Sequence, residues 1–277
     1  MKKKGTYKIL ILGASGFIGN AIYKELCSYF NTYGTYYSNS KTYIDNQQFF
    51  KYDIENDDIY TLLEKVKPQL IISSLRGNFS SLILVHQHIS EYLLRNECKI
   101  YFLSSANVFD AYSKYPSYEL DKTLSASIYG RFQIKIENML LRIPQKKMAV
   151  LRVPIVFGNF SPRVKEIKDT ILLKEPIEVF PNLIVNVTNI DKLVLQIHFM
   201  LNKSKTGIFH LGSNDLIHHE ELIQEIVGKI GNFTPVYKRV FTTNEDRYLA
   251  VLSKTNTFPK NLNSTCQEVI DAHYLTE

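Results

Sequence analysis

The segment that most restricts this chain is residues 7–19, where the apolar run Tyr7-Lys8-Ile9-Leu10-Ile11-Leu12 passes directly into Gly13-Ala14-Ser15-Gly16-Phe17-Ile18-Gly19. A short, nearly continuous apolar run suits a strand buried on both faces of a parallel sheet. Beyond the glycines, Ile18, Ile22 and Leu26 fall on one helical stripe within residues 17–30. The segment therefore reads as strand, glycine turn, helix. Glycine is needed where such a turn is tight, where backbone must approach a pyrophosphate, and where helix packs closely on strand. The helix start then offers backbone N–H groups and the positive end of its dipole to phosphate oxygens. Gly13, Ser15, Gly16, Phe17, Ile18 and Gly19 are accordingly expected to hold a dinucleotide.

The same alternation continues, with strands expected near 34–37, 49–52, 69–74, 99–104 and 148–153 and helices near 56–66, 81–96 and 128–142. That rhythm predicts an α/β Rossmann fold over residues 1–154, a doubly wound parallel sheet of about six or seven strands. After Pro154 the rhythm changes. A basic segment from Arg163 to Lys174 precedes short strands near 177–180 and 208–211 and helices near 191–201 and 220–230. Residues 155–277 are expected to form mainly a smaller C-terminal α/β cap for substrate, with 186–202 a candidate for packing back on the Rossmann sheet.

Composition narrows the classes. With 45% hydrophobic and 22% charged residues the chain can build a large core and is not biased toward disorder. The net charge of +6 permits an acidic partner, but Lys and Arg are scattered and the only run, Lys2-Lys3-Lys4, reads as a solvated terminus rather than a nucleic-acid arm. Cys27, Cys98 and Cys266 lack disulfide or metal spacing, as expected for reduced thiols in a cytoplasmic protein. Residues 1–22 imitate a signal peptide, but glycines interrupt the apolar run, and no stretch approaches the roughly 20 apolar residues of a membrane span. No metal site is expected, because His86 with His88 and His218 with His219 lack companion ligands; His210 reads as structural.

Further candidates follow the strand ends. Asp53, after the third strand, suits either an acceptor for the adenine amino group or a turn residue opening a helix near Asn56. Ile54 beside it and Ser74 after the fourth strand join the cofactor candidates. Where an acidic residue would hold the ribose 2′-OH of NAD, the chain reads Tyr36-Tyr37-Ser38-Asn39-Ser40-Lys41, so Ser38 and Lys41 favour the 2′-phosphate of NADP. Arg76 is a substrate candidate at the carboxyl edge of the sheet, or an exposed loop arginine. Arg163, with Lys165 and Lys168, suits a nucleotide diphosphate or a charged helix face.

The segments GASGFIG at 13–19, YFLSSANVFD at 101–110, IYGRFQIKIE at 128–137, LRVPIVFG at 151–158 and GIFHLGS at 207–213 together resemble the extended short-chain dehydrogenase/reductase superfamily, and within it dTDP-4-dehydrorhamnose reductase-like proteins. The resemblance spans most of the chain. It implies that Ser105 hydrogen-bonds a substrate carbonyl, that Tyr129 exchanges a proton with the substrate oxygen, and that Asn107 lies at the substrate. It also requires a Lys four residues after the Tyr, on the same helix face, where it binds the nicotinamide ribose and makes the phenol more acidic. Here that position is Gln133. Lys135, six residues after Tyr129 and so pointing about 120° away from the Tyr129 face, is a poor substitute. The resemblance implies an NAD(P)-dependent reductase of a keto group on a nucleotide-activated sugar, serving polysaccharide precursor synthesis, and a homodimer. Gln133 keeps open a noncatalytic protein that binds a dinucleotide or sugar nucleotide and regulates a partner; an epimerase or dehydratase of the same superfamily is a third reading.

Overall fold

The computed structural model describes residues 6–38, 40–111, 114–158, 160–231 and 233–272, so Lys2-Lys3-Lys4 and Asn39 lie outside the described residues. From its start the chain runs through β1 (Lys8–Leu12), α1 (Phe17–Leu26), β2 (Asn31–Tyr36), α2 (Ser40–Tyr43), β3 (Phe49–Lys51), α3 (Ile59–Val66), β4 (Leu70–Ser73), α4 (Phe79–Arg95) and β5 (Lys99–Ser105). Next come α5 (Ile128–Leu140), β6 (Met148–Val153), β7 (Ile155–Phe157), α6 (Pro162–Leu172), β8 (Ile177–Val179), β9 (Leu183–Val185), β10 (Val187–Asn189), α7 (Ile190–Asn202) and β11 (Gly207–His210). The last elements are β12 (Ile217–His218), α8 (His219–Ile230), β13 (Tyr237–Arg239), β14 (Arg247–Leu249) and α9 (Cys266–Ile270).

Seven strands form one sheet in the order β11-β6-β5-β4-β1-β2-β3. The pairs of β1 with β2 and β4, of β2 with β3, and of β4 with β5 are parallel. Ile9 to Leu12 of β1 are completely buried, as a central strand covered on both faces must be. Because the order turns back between β3 and β4, the carboxyl ends of β1 and β4 form the switch point where ligands of such sheets bind. Gly13 follows one of these strands and Ser74 the other.

The chain divides into two compact units. The first comprises residues 1–104, 132–151 and 197–208, with a core that includes Leu10, Leu12, Ile71, Ile100, Ile136 and Leu140. The second comprises residues 105–131, 152–196 and 209–277, with a core that includes Val179, Val187, Leu222, Ile226 and Val269. Its strands pair as β10 with β7, β9 between β12 and β14, and β13 with β8.

Two local expectations change. Helix α3 starts at Ile59 rather than near Asn56, because the Asp58 carboxylate caps it by accepting from the Tyr60 N–H. The strand expected near 208–211 is the seventh strand of the main sheet, beside β6, where Leu211 N–H donates to Arg152 O. Within the basic segment at 163–174, helix α6 begins on Pro162, a residue whose missing N–H costs nothing in a first turn.

Candidate functional site

In the first unit, the glycine loop joins β1 to α1. Gly13 has a φ of +81°, and a β-carbon there would lie 2.8 Å from Ser74 O. Gly19 is as constrained: its β-carbon would strike Gly13 O and come within 2.6 Å of Ser74 Oγ. Ser74 Oγ in turn donates to Leu12 O at 2.9 Å, so Ser74 fills the space that these glycines leave. Gly16 differs. Its φ of −82° and ψ of 167° suit any residue, and a β-carbon would meet only Gly13 O, at 3.4 Å. The fold therefore needs Gly13 and Gly19 but not Gly16. The loop is tied to β2 through Thr35, whose Oγ1 accepts from Gly13 N–H at 2.8 Å and whose carbonyl accepts from Ser15 N–H at 3.2 Å. Helix α1 has Gly16 as its N-cap without a side-chain cap and carries no acidic residue in its first turn. Phe17 and Ile18 thus start a helix end suited to an anion.

The remaining first-unit candidates divide. Ser38 and Lys41 are exposed just beyond β2, with Lys41 on the single turn α2. The Asp53 carboxylate is occupied locally, accepting from Asn56 Nδ2 and Glu55 N–H, both at 2.9 Å. The Asn56 bond comes first among the causes that lower its pKa. This geometry is that of the turn residue, although the helix it precedes starts later than expected. Ile54 Cδ1 stands 2.5 Å from where a β-carbon on Gly77 would lie, packing the segments after β3 and β4 together. Arg76 is exposed in that second segment.

In the second unit, Ser105 Oγ donates to Asn107 Oδ1 at 2.9 Å and accepts from Asn107 N–H at 3.2 Å, capping a short turn over residues 106–109. Tyr129, in the first turn of α5, is 42% exposed. The next residue, Gly130, packs its backbone so tightly on Asn107 O and Ser125 Oγ that any β-carbon would overlap both. Ser105, Asn107 and Tyr129 are thereby gathered around one backbone contact. Arg163, on α6, pairs with Glu166 at 2.8 Å, the charged helix face among its two readings. Gln133, four residues after Tyr129 on α5, belongs to the first unit and is buried at 6% exposure, whereas Lys135 is exposed. One turn further, buried Glu137 accepts from Ser104 Oγ.

Residues 83–257 match the family model of the RmlD substrate binding domain. The chain belongs to that family. This RmlD-family chain is similar to a dTDP-4-dehydrorhamnose reductase of Aggregatibacter actinomycetemcomitans, 24% identical over 167 residues that make up 56% of this chain and 53% of that protein. It thus spans about half the length of that relative. It is also similar to methionine adenosyltransferase 2 subunit beta of Danio rerio, 22% identical over 239 residues, 78% of this chain and 71% of that protein. Among solved structures, the dTDP-4-dehydrorhamnose reductase of Bacillus anthracis in complex with NADP matches with a TM-score of 0.78 at 16% identity, covering 98% of each chain. The resemblance to extended short-chain dehydrogenase/reductases of the dTDP-4-dehydrorhamnose reductase type is borne out, as is the doubly wound α/β fold.

Several positions escaped sequence reasoning. Thr35 reads as an ordinary strand residue, and Gly130 as a poor helix former until its contact with Asn107 O is seen. A buried polar cluster in the second unit was also missed. Arg152 Nη1 donates to Glu119 O at 3.2 Å, contacts His210 Nε2 at 3.4 Å, and its guanidinium lies 4.8 Å from the Phe109 ring centre. The Glu119 carboxylate accepts from the N–H groups of Lys254, Thr255 and Asn256. Burial raises the Glu119 pKa, but these backbone bonds outweigh it and the net shift is downward. No local signal marks this cluster, because Arg152 lies within β6 and its partners are far apart in sequence. Among the described residues no group of three or more His, Cys, Asp or Glu could hold a metal, and no helix is long and apolar enough to cross a membrane.

Proposed function

We propose that this protein is a cytoplasmic NADP-preferring reductase of a keto group on a nucleotide-activated sugar, supplying precursors for polysaccharide, and that it acts as a homodimer. Gly16 is the observation that carries the cofactor assignment: it is the one loop glycine that nothing inside the protein requires, and a pyrophosphate approaching the α1 N-terminus does require it. Gly13, Ser15, Phe17, Ile18 and Gly19 complete that cradle, Ile54 and Ser74 line its neighbourhood, and Ser38 with Lys41 offers a hydroxyl and a cation to a 2′-phosphate. Asp53 is left as a weaker partner for adenine, through whichever lone pairs its turn does not use.

When bound, the nicotinamide supplies the hydride. The chain's own groups do the rest. Ser105 Oγ turns from Asn107 Oδ1 to donate to the substrate carbonyl, the Tyr129 hydroxyl gives that oxygen its proton, and Asn107, Arg76 and Arg163 hold the sugar nucleotide. The residues of the first unit, Arg76 apart, serve the cofactor and those of the second the substrate.

A second reading rests on a separate observation. Gln133 brings no positive charge to the Tyr129 face of α5, and one of the similar proteins is, by its name, a subunit of another enzyme. A noncatalytic role in binding a dinucleotide or sugar nucleotide and regulating a partner follows from that combination. Titration with NADPH and NADH, followed by NADPH oxidation against a panel of nucleotide-linked ketosugars, separates the two: binding with turnover supports the reductase, and binding without turnover supports the regulator.

A further inference from the structure

The turn that carries Lys41 cannot hold itself in place. Helix α2 is one turn of four residues, far below the length at which helix formation sustains itself. What holds it is Tyr43, whose ring stacks 4.3 Å from Phe49 at an interplanar angle of 20° and 5.6 Å from Tyr36 at 27°. The hydroxyl of Tyr43 accepts from Asn20 Nδ2 at 3.2 Å, and the same amide reaches Ala14 O, inside the glycine loop, at 3.3 Å. All of these residues belong to the first unit. One side-chain amide therefore connects the loop that would cradle the pyrophosphate with the turn that would meet the 2′-phosphate.

We infer that Tyr43 and Asn20 are positioning residues for cofactor choice: their hydrogen bond fixes the distance from the glycine loop to Lys41 and thereby sets discrimination between a dinucleotide with a 2′-phosphate and one without. This rests on the NADP reading above. The stack alone fixes the plane of the Tyr43 ring but leaves it free to slide, and the hydroxyl removes that freedom. A dinucleotide with a bare 2′-OH makes no demand on Lys41. Its affinity is independent of the bond.

The test is calorimetric titration of the full chain with NADPH and with NADH, for the native protein, Tyr43→Phe, Lys41→Ala and the double variant. Tyr43→Phe keeps the stack and removes one hydrogen bond, so NADPH affinity falls about three- to tenfold with NADH affinity unchanged. Lys41→Ala removes a charge-assisted contact and lowers NADPH affinity about tenfold or more. Because Tyr43 acts through Lys41, the double variant matches Lys41→Ala alone rather than adding to it. Asn20→Ala removes the same bond together with the one to Ala14 O in the glycine loop, so it lowers NADPH affinity more than NADH affinity. If Lys41→Ala abolishes an NADPH preference that Tyr43→Phe and Asn20→Ala leave intact, or if the losses add, the inference is overturned while the cofactor reading stands. If the native protein shows no preference and Lys41→Ala changes nothing, the cofactor reading falls and takes the inference with it.

Discussion

A β-carbon on Gly130 would collide with the carbonyl oxygen of Asn107. Helix α5 therefore packs its first turn, with Tyr129, backbone to backbone on the turn that Ser105 caps, and this closeness depends on a residue that otherwise weakens a helix.

Two helical glycines should consequently respond with opposite sign. Gly130→Ala must push α5 away from Asn107 and Ser125 and is expected to destabilise by about 1–3 kcal/mol, in the range of overpacked interiors. Gly228 lies in α8 where a β-carbon would enter open space beyond the helix's own backbone, so Gly228→Ala should stabilise by about 0.5–1 kcal/mol. Thermal melts of both variants check this. A Gly130→Ala variant that melts no lower than the native protein would show that the Gly130 contact is not tight.

Acid should weaken the fold through buried histidines. His86 bonds Ser73 Oγ at 2.9 Å and Leu82 O at 2.7 Å, and burial lowers its pKa to about 4 from 6.5. His210, through burial and then the Arg152 charge, and His219, through burial and then Arg163, are also lowered to about 4. In each case the unfolded chain binds a proton that the folded one refuses. Stability is therefore complete above about pH 6.5, falls as pH drops toward 4, and loses nothing more to these groups below that. Each histidine contributes a slope of at most about 1.36 kcal/mol per pH unit. Urea unfolding between pH 7.5 and 4.5 should show the decline, with a shallower slope in His86→Asn; a flat profile would contradict it.

Much of the first unit was legible because its signals are local. The apolar run of β1, the glycine spacing and the stripe of α1 lie within neighbouring residues, and β6 was expected at the observed Met148–Val153. Helix α3 starts three residues later than the pattern suggests because Asp53 and Asp57 bond within the preceding turn and Asp58 accepts from Tyr60 N–H as the cap. Strand β11 was assigned to the smaller part since its order in the chain says nothing about its place beside β6. Asn20 and Tyr43 were invisible as a pair, being 23 residues apart with no shared pattern.

Gln133 tests the catalytic assignment. If Ser105 and Tyr129 perform reductase chemistry, Gln133→Lys places an ammonium on the Tyr129 face of α5 and should raise turnover about tenfold or more, at 1.36 kcal/mol per decade. Tyr129→Phe should abolish the gain, since shape is retained and the proton is lost. Because position 133 is buried, the Lys variant should also melt at a lower temperature. NADPH oxidation on one ketosugar, measured for the native protein, Gln133→Lys and the double variant, decides the matter. Fast native turnover that survives Tyr129→Phe would contradict the assignment.

The central claim is that the loop at 13–19 holds a nicotinamide dinucleotide, and Gly16 allows it to be tested apart from folding. Gly16→Val satisfies the local backbone angles and its β-carbon meets only Gly13 O, so the variant should fold, with its melting temperature lowered at most by the small cost of losing a glycine N-cap. Calorimetric titration of both with NADPH is the direct measurement. The native protein should bind, and the folded Gly16→Val variant should bind at least about tenfold more weakly because the side chain occupies the space of the pyrophosphate. Absence of binding of NADPH and NADH to the native protein at millimolar concentration, or equal affinity in the two proteins, would contradict the claim.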